Sequence, residues 1–329
     1  DKKDFRKRKE VFMSHYVEKD CSYCTLFNSA YLDRGLAMLH SLINNSADIR
    51  IYVLAMDRKT FEVLNGKFLD KVTIIQHDDF ATKRLLELKT QRNVAEYCWT
   101  CTAKLIEYIF ENYNERICTY IDADLYFYQN PYCLIEEMIQ AKCSVQIVEH
   151  RFGKGIFATH MRRYSGIFCV QFNTFENTCE ARMVLKTWRR QCMEHCSSEQ
   201  DGKTLGDQKY LEEWPSKYKC VHILKNEGGG LAPWNIFQYR GKRYSEDGAI
   251  EIENKYSKEL YQLIFYHFHG MELKDDGTSD IGVFTRNIGI DKSLVNMLYR
   301  PYIKKLQNER KSLGNNFEGS IQVKVLKKQ

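Results

Sequence analysis

Short apolar runs alternate along this chain with longer segments in which apolar residues return every three or four positions. The runs CTLFN (24–28), IRIYVLAMD (49–57), KVTIIQH (71–77) and ICTYID (117–122) read as buried strands. Between them, YLDRGLAMLHSLINN (31–45) puts Leu32, Leu36, Leu39 and Leu42 or Ile43 on one side of a helix. TFEVLNGKF reads as a short helix and EYCWTCTAKLIEYIFENY (96–113) as a long one, and CLIEEMIQ (133–140) and SVQIVEH (144–150) continue the alternation. Beyond residue 150 the pattern loosens. There GIFCVQFN (166–173) and LIFYHFHG (263–270) predict strands and CEARMVLKTWRRQCMEHC (179–196) a helix. A last helix follows around SLVNMLYRPYIKKLQNERK, with Pro301 as a kink or boundary. Strand and helix in this order predict an α/β fold, a Rossmann-like and mostly parallel sheet with helices on both faces.

The 329 residues are long enough for one large core. The predicted organisation is a basic segment at 1–20, a catalytic domain at 21–290, and a C-terminal helix with a basic tail at 291–329. No apolar run reaches the roughly 18 residues of a membrane span, and no apolar stretch follows the basic start as it would in a secretory leader. These features predict a cytoplasmic protein. The formal charge of +6 gathers partly at the ends. That suits frayed, solvated termini, or peripheral contact with anionic lipid at the inner face of the membrane. Elsewhere Lys and Arg mix with Asp and Glu, and no basic stripe with stacking aromatics argues for nucleic acid.

Twelve cysteines raise the question of disulfides or zinc. The pairs Cys21/Cys24 and Cys98/Cys101 have residues 25–97 between them, far from the ~15–20 spacing of a zinc ribbon. Cys118 and Cys169 lie in apolar runs, where a free thiol behaves as a small hydrophobe. Reduced structural thiols in a reducing compartment are expected.

The chemistry concentrates at ICTYIDADLYFYQNP, where Asp122 and Asp124 follow a strand. In an open α/β sheet, ligands bind beyond the carboxyl ends of the strands. Two carboxylates held there repel unless a cation or proton lies between them. Hard oxygen ligands suit Mg²⁺ or Mn²⁺ bridging to phosphate. A lone D-x-D also suits an acidic turn that caps the next helix. His150 and Arg151, after a strand, and Trp234, in GGGLAPWNI, are candidates to face an acceptor.

CTLFNSAYLDRGLAM followed by CTYIDADLYFYQNP resembles, in order, two motifs of the glycogenin-like family 8 glycosyltransferases. The blocks YCWT, DADLYF, GDQKYL and APWN also resemble bacterial sugar-nucleotide transferases. The likeness spans roughly residues 24–275. It implies the GT-A (nucleotide-diphospho-sugar transferase) fold, a metal on the D-x-D, and transfer of a hexosyl group from a nucleotide sugar, UDP-linked, to a glycan or lipid-linked glycan with retention. On that likeness Asn28 and Tyr31 would meet the base, and Lys104 the diphosphate or sugar. Asp57 would meet the base or ribose, or equally cap a helix. His267 would join the metal, with His269 on the same strand face as a rival, and an imidazole there favours Mn²⁺ over Mg²⁺. Gly270 would let backbone approach a phosphate, and Asp207 and Gln208 would stand beneath the anomeric carbon. Two departures stand out: Lys274 lies four residues after Gly270 where the family has three, without Pro-Trp, and no Asn precedes Gly166. A sugar-nucleotide nucleotidyltransferase or a non-catalytic nucleotide- or glycan-binding module is the competing reading. The former usually has a Gly-rich loop after its first strand, and FNSAYLDRG is poor in glycine.

Overall fold

The computed structural model describes residues 16–68, 70–199, 204–244, 249–274, 278–282 and 289–314. Most of the basic N-terminal segment and the basic tail after residue 314 lie outside them. The expected strands form β1 (Cys21–Phe27), β2 (Arg50–Ala55), β3 (Val72–Gln76) and β4 (Ile117–Ile121). β5 (Leu125–Phe127) follows at once, then β6 (Val145–Glu149), β7 (Phe168–Glu176) and β8 (Val221–Ile223). The main sheet runs β3-β2-β1-β4-β7-β6-β8. It is parallel throughout except for β7, which is antiparallel to both β4 and β6.

The period of two along each strand builds a core on either face. Cys24, Leu26, Tyr52 and Leu54 point into one, with the helices Lys83–Gln91, Val94–Asn112 and Cys179–Glu194 over them. Tyr23, Phe27, Ile51 and Val53 point into the other, under Leu32–Asn45, here α1, and Tyr132–Gln140. Helices therefore cover both faces, as the pattern predicts. The same alternation sends Cys21 and Cys24 to opposite faces, so that pair cannot close on one metal. The predicted helix at 96–113 begins at Val94 because Asn93 and Glu96 form a reciprocal capping box.

Two expectations change, and further elements appear that the pattern did not predict. The strand predicted over 263–270 is paired only at Phe265–His267, β12 here, which runs antiparallel to β5. Pro301 neither breaks nor bounds its helix, which runs through from Lys292 to Leu313. An interior proline forfeits one backbone hydrogen bond. Leu298, Tyr299, Tyr302 and Leu306 hold that helix in a third core with Ala37 of α1 and Tyr239, Ile250 and Ile252. Those last residues lie on the first two of the antiparallel strands Tyr239–Tyr244 (β9), Ile250–Asn254 (β10) and Leu260–Gln262 (β11), whose short, half-polar segments gave no clear period. The helix Ile156–Ser165 was likewise not expected from the pattern.

Candidate functional site

β1, β2 and β4 are mutually parallel, so their carboxyl ends open on one side of the sheet, and the candidate centre forms there. β4 stops at Ile121 and the chain turns sharply. Asp122 N–H donates to Gln171 O at 3.2 Å, and Leu125 N–H to Asp122 O at 3.3 Å. Phe268 N–H donates to Asp124 O at 2.9 Å. The D-A-D backbone is thereby fixed between β7 and the end of β12. Pairing of β12 with β5 sets His267 opposite Leu125. Its Nε2 lies 3.0 Å from Asp124 Oδ1 and 3.8 Å from Asp122 Oδ2. Its Nδ1 lies 3.0 Å from Gln171 Oε1. The imidazole is buried, 3% exposed, and Trp234 packs edge-on against both His267 and His269.

Charge is distributed unevenly over this cluster. Burial pushes Asp122 up to about 6, with His267 opposing and Asp124 reinforcing. Burial would also raise Asp124, but the charge and hydrogen bond of His267 hold it well below the usual carboxylate range. Burial alone would depress the His267 imidazole, and Asp124 instead raises it well above its ordinary value. The cluster is thus built to hold positive charge between two carboxylates, and a proton on Nε2 and a divalent cation compete for that position. A Nδ1–H donating to Gln171 leaves the Nε2 lone pair toward the aspartates. Two triads have ligand atoms within 4.8 Å of one another: Asp124, His267 and His269, and Asp122, Cys169 and His267. Carboxylate and imidazole donors at one point fit a divalent ion such as Mn²⁺.

Asp207 feels the charge of Asp122. It is 4% exposed, and burial, with Asp122 adding to it, pushes its carboxyl up to about 8 against a hydrogen bond from Thr102. Gln208 turns away, its Nε2 donating to Ser165 O at 2.5 Å. Tyr31 stands at the rim, 45% exposed. The Arg34 guanidinium lies 4.9 Å from its ring centre, and its phenol is raised to about 12 by burial of the oxygen end and then by Asp124. Asn28 begins the one-turn helix Ser29–Tyr31, and its side chain caps nothing there. Asp57 is a cap: it accepts from Thr60 N–H, and from Ser29 N–H and Oγ–H, each at 2.8 Å. It thereby ties the end of β2 to the loop carrying Asn28 and Tyr31. Gly270 has φ 69°, a left-handed conformation that favours glycine, and open space around a would-be Cβ.

Other expectations are corrected. Lys104 gives its ammonium to Glu107 at 3.0 Å and Glu111 at 3.2 Å, one and two turns on along its own helix, and it is not brought to the cluster. Arg151, at φ 53°, spends its guanidinium on Gly229 O, Leu224 O and Asn226 O. His150 is 3% exposed, stacked on Phe152 and edge-on to Trp234, and burial drives its pKa down to about 3. Trp234 is 5% exposed and supports the histidines from behind. Neither ring faces solvent as an acceptor contact would. The glycines of GGGLAPWNI serve packing, since a Cβ would meet Gln262 O at 2.0 Å from Gly228, Leu134 Cδ1 at 2.7 Å from Gly229 and Val148 Cγ1 at 2.9 Å from Gly230.

Two residues escaped sequence reasoning. Gln171 orients His267, and its signal was an amide inside the apolar run GIFCVQFN, since a buried polar group needs a reason. Arg34 is 6% exposed, donates to Met271 O at 2.9 Å and bears on Asp124, helping to hold that carboxyl ionised. It lay in the quoted YLDRGLAM, where a first-turn arginine gives no sign of being buried.

Fold and site together define a mixed α/β protein with a carboxylate and histidine centre at the carboxyl ends of its parallel strands. No family model matches the chain. The chain belongs to the family of the uncharacterized protein YfnD of Bacillus subtilis (strain 168), with 31% identity over 288 residues, 87% of this chain and 88% of the relative. YfnF of the same organism is 27% identical over 304 residues, 91% of this chain and 96% of its own length. Among solved structures, an active-site mutant of LgtC is 12% identical with a TM-score of 0.49, covering 88% of this chain and 95% of that one. Mouse xyloside xylosyltransferase 1, apo form, is 13% identical with a TM-score of 0.46, covering 76% and 97%. No helix among the described residues is long and apolar enough to cross a membrane.

Proposed function

We propose that this chain is a cation-dependent glycosyltransferase of GT-A type that moves a hexosyl group from a UDP-sugar to a hydroxyl of a glycan acceptor, with retention of configuration. The reading rests on one observation: Asp122, Asp124 and His267 converge at the strand ends where such sheets bind ligands. Asp122, Asp124 and His267 would hold Mn²⁺, which when bound supplies Lewis-acid stabilisation of the departing diphosphate. Tyr31, 45% exposed, would stack on uracil, with the Asn28 side chain, which caps no helix, in the same loop. Arg34 adds fixed positive charge near Asp124. Asp207, whose carboxyl burial raises to about 8, would donate a hydrogen bond to a sugar hydroxyl or ring oxygen.

Incubation with a panel of nucleotide sugars and Mn²⁺, read by mass spectrometry, tests this. Release of nucleoside diphosphate, lost in Asp124→Asn, is the expected result. Release of pyrophosphate would point instead to a nucleotidyltransferase, and binding without turnover to a recognition module.

A further inference from the structure

Cys169 is the only cysteine in either candidate ligand set among the described residues. It lies on β7, two residues before Gln171, and is 5% exposed. Phe152, Ala158, Met161, Ala232 and Trp234 wall it in. On its open side are the Asp122 carboxylate and the His267 imidazole, all three ligand atoms within 4.8 Å of one another. Metal bonds of about 2.0–2.3 Å to O, N and S leave tetrahedral ligand atoms roughly 3.3–3.8 Å apart. Side-chain shifts on the order of 1 Å would therefore close this set around an ion. His267 belongs to both triads. On its exposed side are Asp124 and His269, hard and borderline donors. On its buried side is a sulfur.

We propose that Cys169 is a further ligand of this centre, giving it, with Asp122 and His267, an inner position that takes thiophilic divalent ions such as Zn²⁺ and Co²⁺ through sulfur, overlapping the Mn²⁺ position of Asp122, Asp124 and His267. The inference rests on the cation site of the proposed transferase and deepens it. Sulfur ligation displaces the thiol proton to solvent. Thiolate donors favour Zn²⁺ and Co²⁺, whereas Mn²⁺ prefers oxygen. The two ions would thus divide between the positions by donor softness, with Zn²⁺ displacing Mn²⁺ through the shared Asp122 and His267.

The full chain loaded with one equivalent of Co²⁺ gives separate readouts. Visible ligand-field bands report that cobalt is bound, and a near-ultraviolet thiolate-to-cobalt charge-transfer band reports sulfur. The expected result is both bands in the native protein, the visible bands alone in Cys169→Ser, and Zn²⁺ affinity lowered at least about tenfold with Mn²⁺ affinity nearly unchanged. Visible bands without charge transfer in the native protein, or charge transfer persisting in Cys169→Ser, would overturn the inference and leave the transferase reading standing. No cobalt bands in the native protein would overturn both. If Cys169→Ser folds poorly, X-ray absorption at the zinc edge of the native protein decides: a sulfur scatterer near ~2.3 Å supports the inference, and only oxygen and nitrogen refute it.

Discussion

Gln171 Oε1 lies 3.0 Å from His267 Nδ1, while the Gln171 backbone carbonyl accepts the Asp122 N–H at 3.2 Å. One residue of β7 thus sets both the backbone of the first aspartate and the ring orientation of the histidine facing it. The register of β6 with β7 shifts between Gln146 and Val148, which is where this residue leaves regular pairing. Replacing it by leucine keeps the backbone contact and removes the side-chain one. Gln171→Leu should weaken Mn²⁺ binding about 10-fold, as loss of a ligand-orienting hydrogen bond does. Calorimetry against the native protein checks it, and unchanged affinity would remove the orienting role.

The two histidines differ in what each variant leaves behind. His267→Ala takes a ligand from both triads, whereas His269→Ala takes one from the Asp124 triad only. Mn²⁺ affinity should fall about 100-fold in the first and about 10-fold in the second. Electron paramagnetic resonance titration of free Mn²⁺ measures both, and a larger loss in His269→Ala would reverse the assignment.

Asp207 predicts a pH dependence of stability. Its carboxyl is raised to about 8 from the ordinary aspartate range near ~4, so between those values the folded chain keeps a proton that the unfolded chain releases. Stability from this group is fully present below about pH 4 and is lost as pH rises toward 8. Asp207→Asn cannot ionise. Its melting temperature relative to native, in chelator, should climb from pH 4 to 8 and level off above, with a gain of a few kcal/mol at the plateau. A difference that stays flat with pH would show that Asp207 ionises freely in the fold.

Lys104 should prove dispensable for catalysis. Its half-buried ammonium is committed to Glu107 and Glu111 along its own helix, which is a structural use of the charge. Lys104→Ala should leave nucleotide-sugar turnover within about twofold of native, whereas Arg34→Ala, which removes buried charge beside Asp124, should lower it by at least about tenfold. Equal losses in both would return Lys104 to the site.

Asp57 couples stability to the nucleotide rim. Asp57→Ala removes a helix cap and both bonds to Ser29, so it should cost about 1–2 kcal/mol in denaturant unfolding. Because Ser29 lies between Asn28 and Tyr31, UDP affinity should fall as well. Asp57→Asn, which keeps an accepting oxygen, should restore most of both, and if it does not, the cap is not the cause.

Much of this molecule follows from local order along the chain. The strands β1 to β4, α1 and the helix Val94–Asn112 follow from apolar period, because a buried strand and an amphipathic helix each present their own local pattern of apolar side chains to the core. Asp122 and Asp124 were legible for the same reason: a charged pair directly after an apolar strand has few places to go. What tertiary structure decided was which distant groups meet that pair. His267 on β12, Gln171 and Cys169 on β7, and Asp207 in a turn come from three separate parts of the chain, and their approach depends on the antiparallel insertion of β7, the short pairing of β12 with β5 and the close glycine packing of residues 228–230. Lys104 and Arg151 show the converse. The ammonium and guanidinium go to whichever oxygens the fold brings nearest, and a long charged side chain carries no local signal of where those oxygens will be.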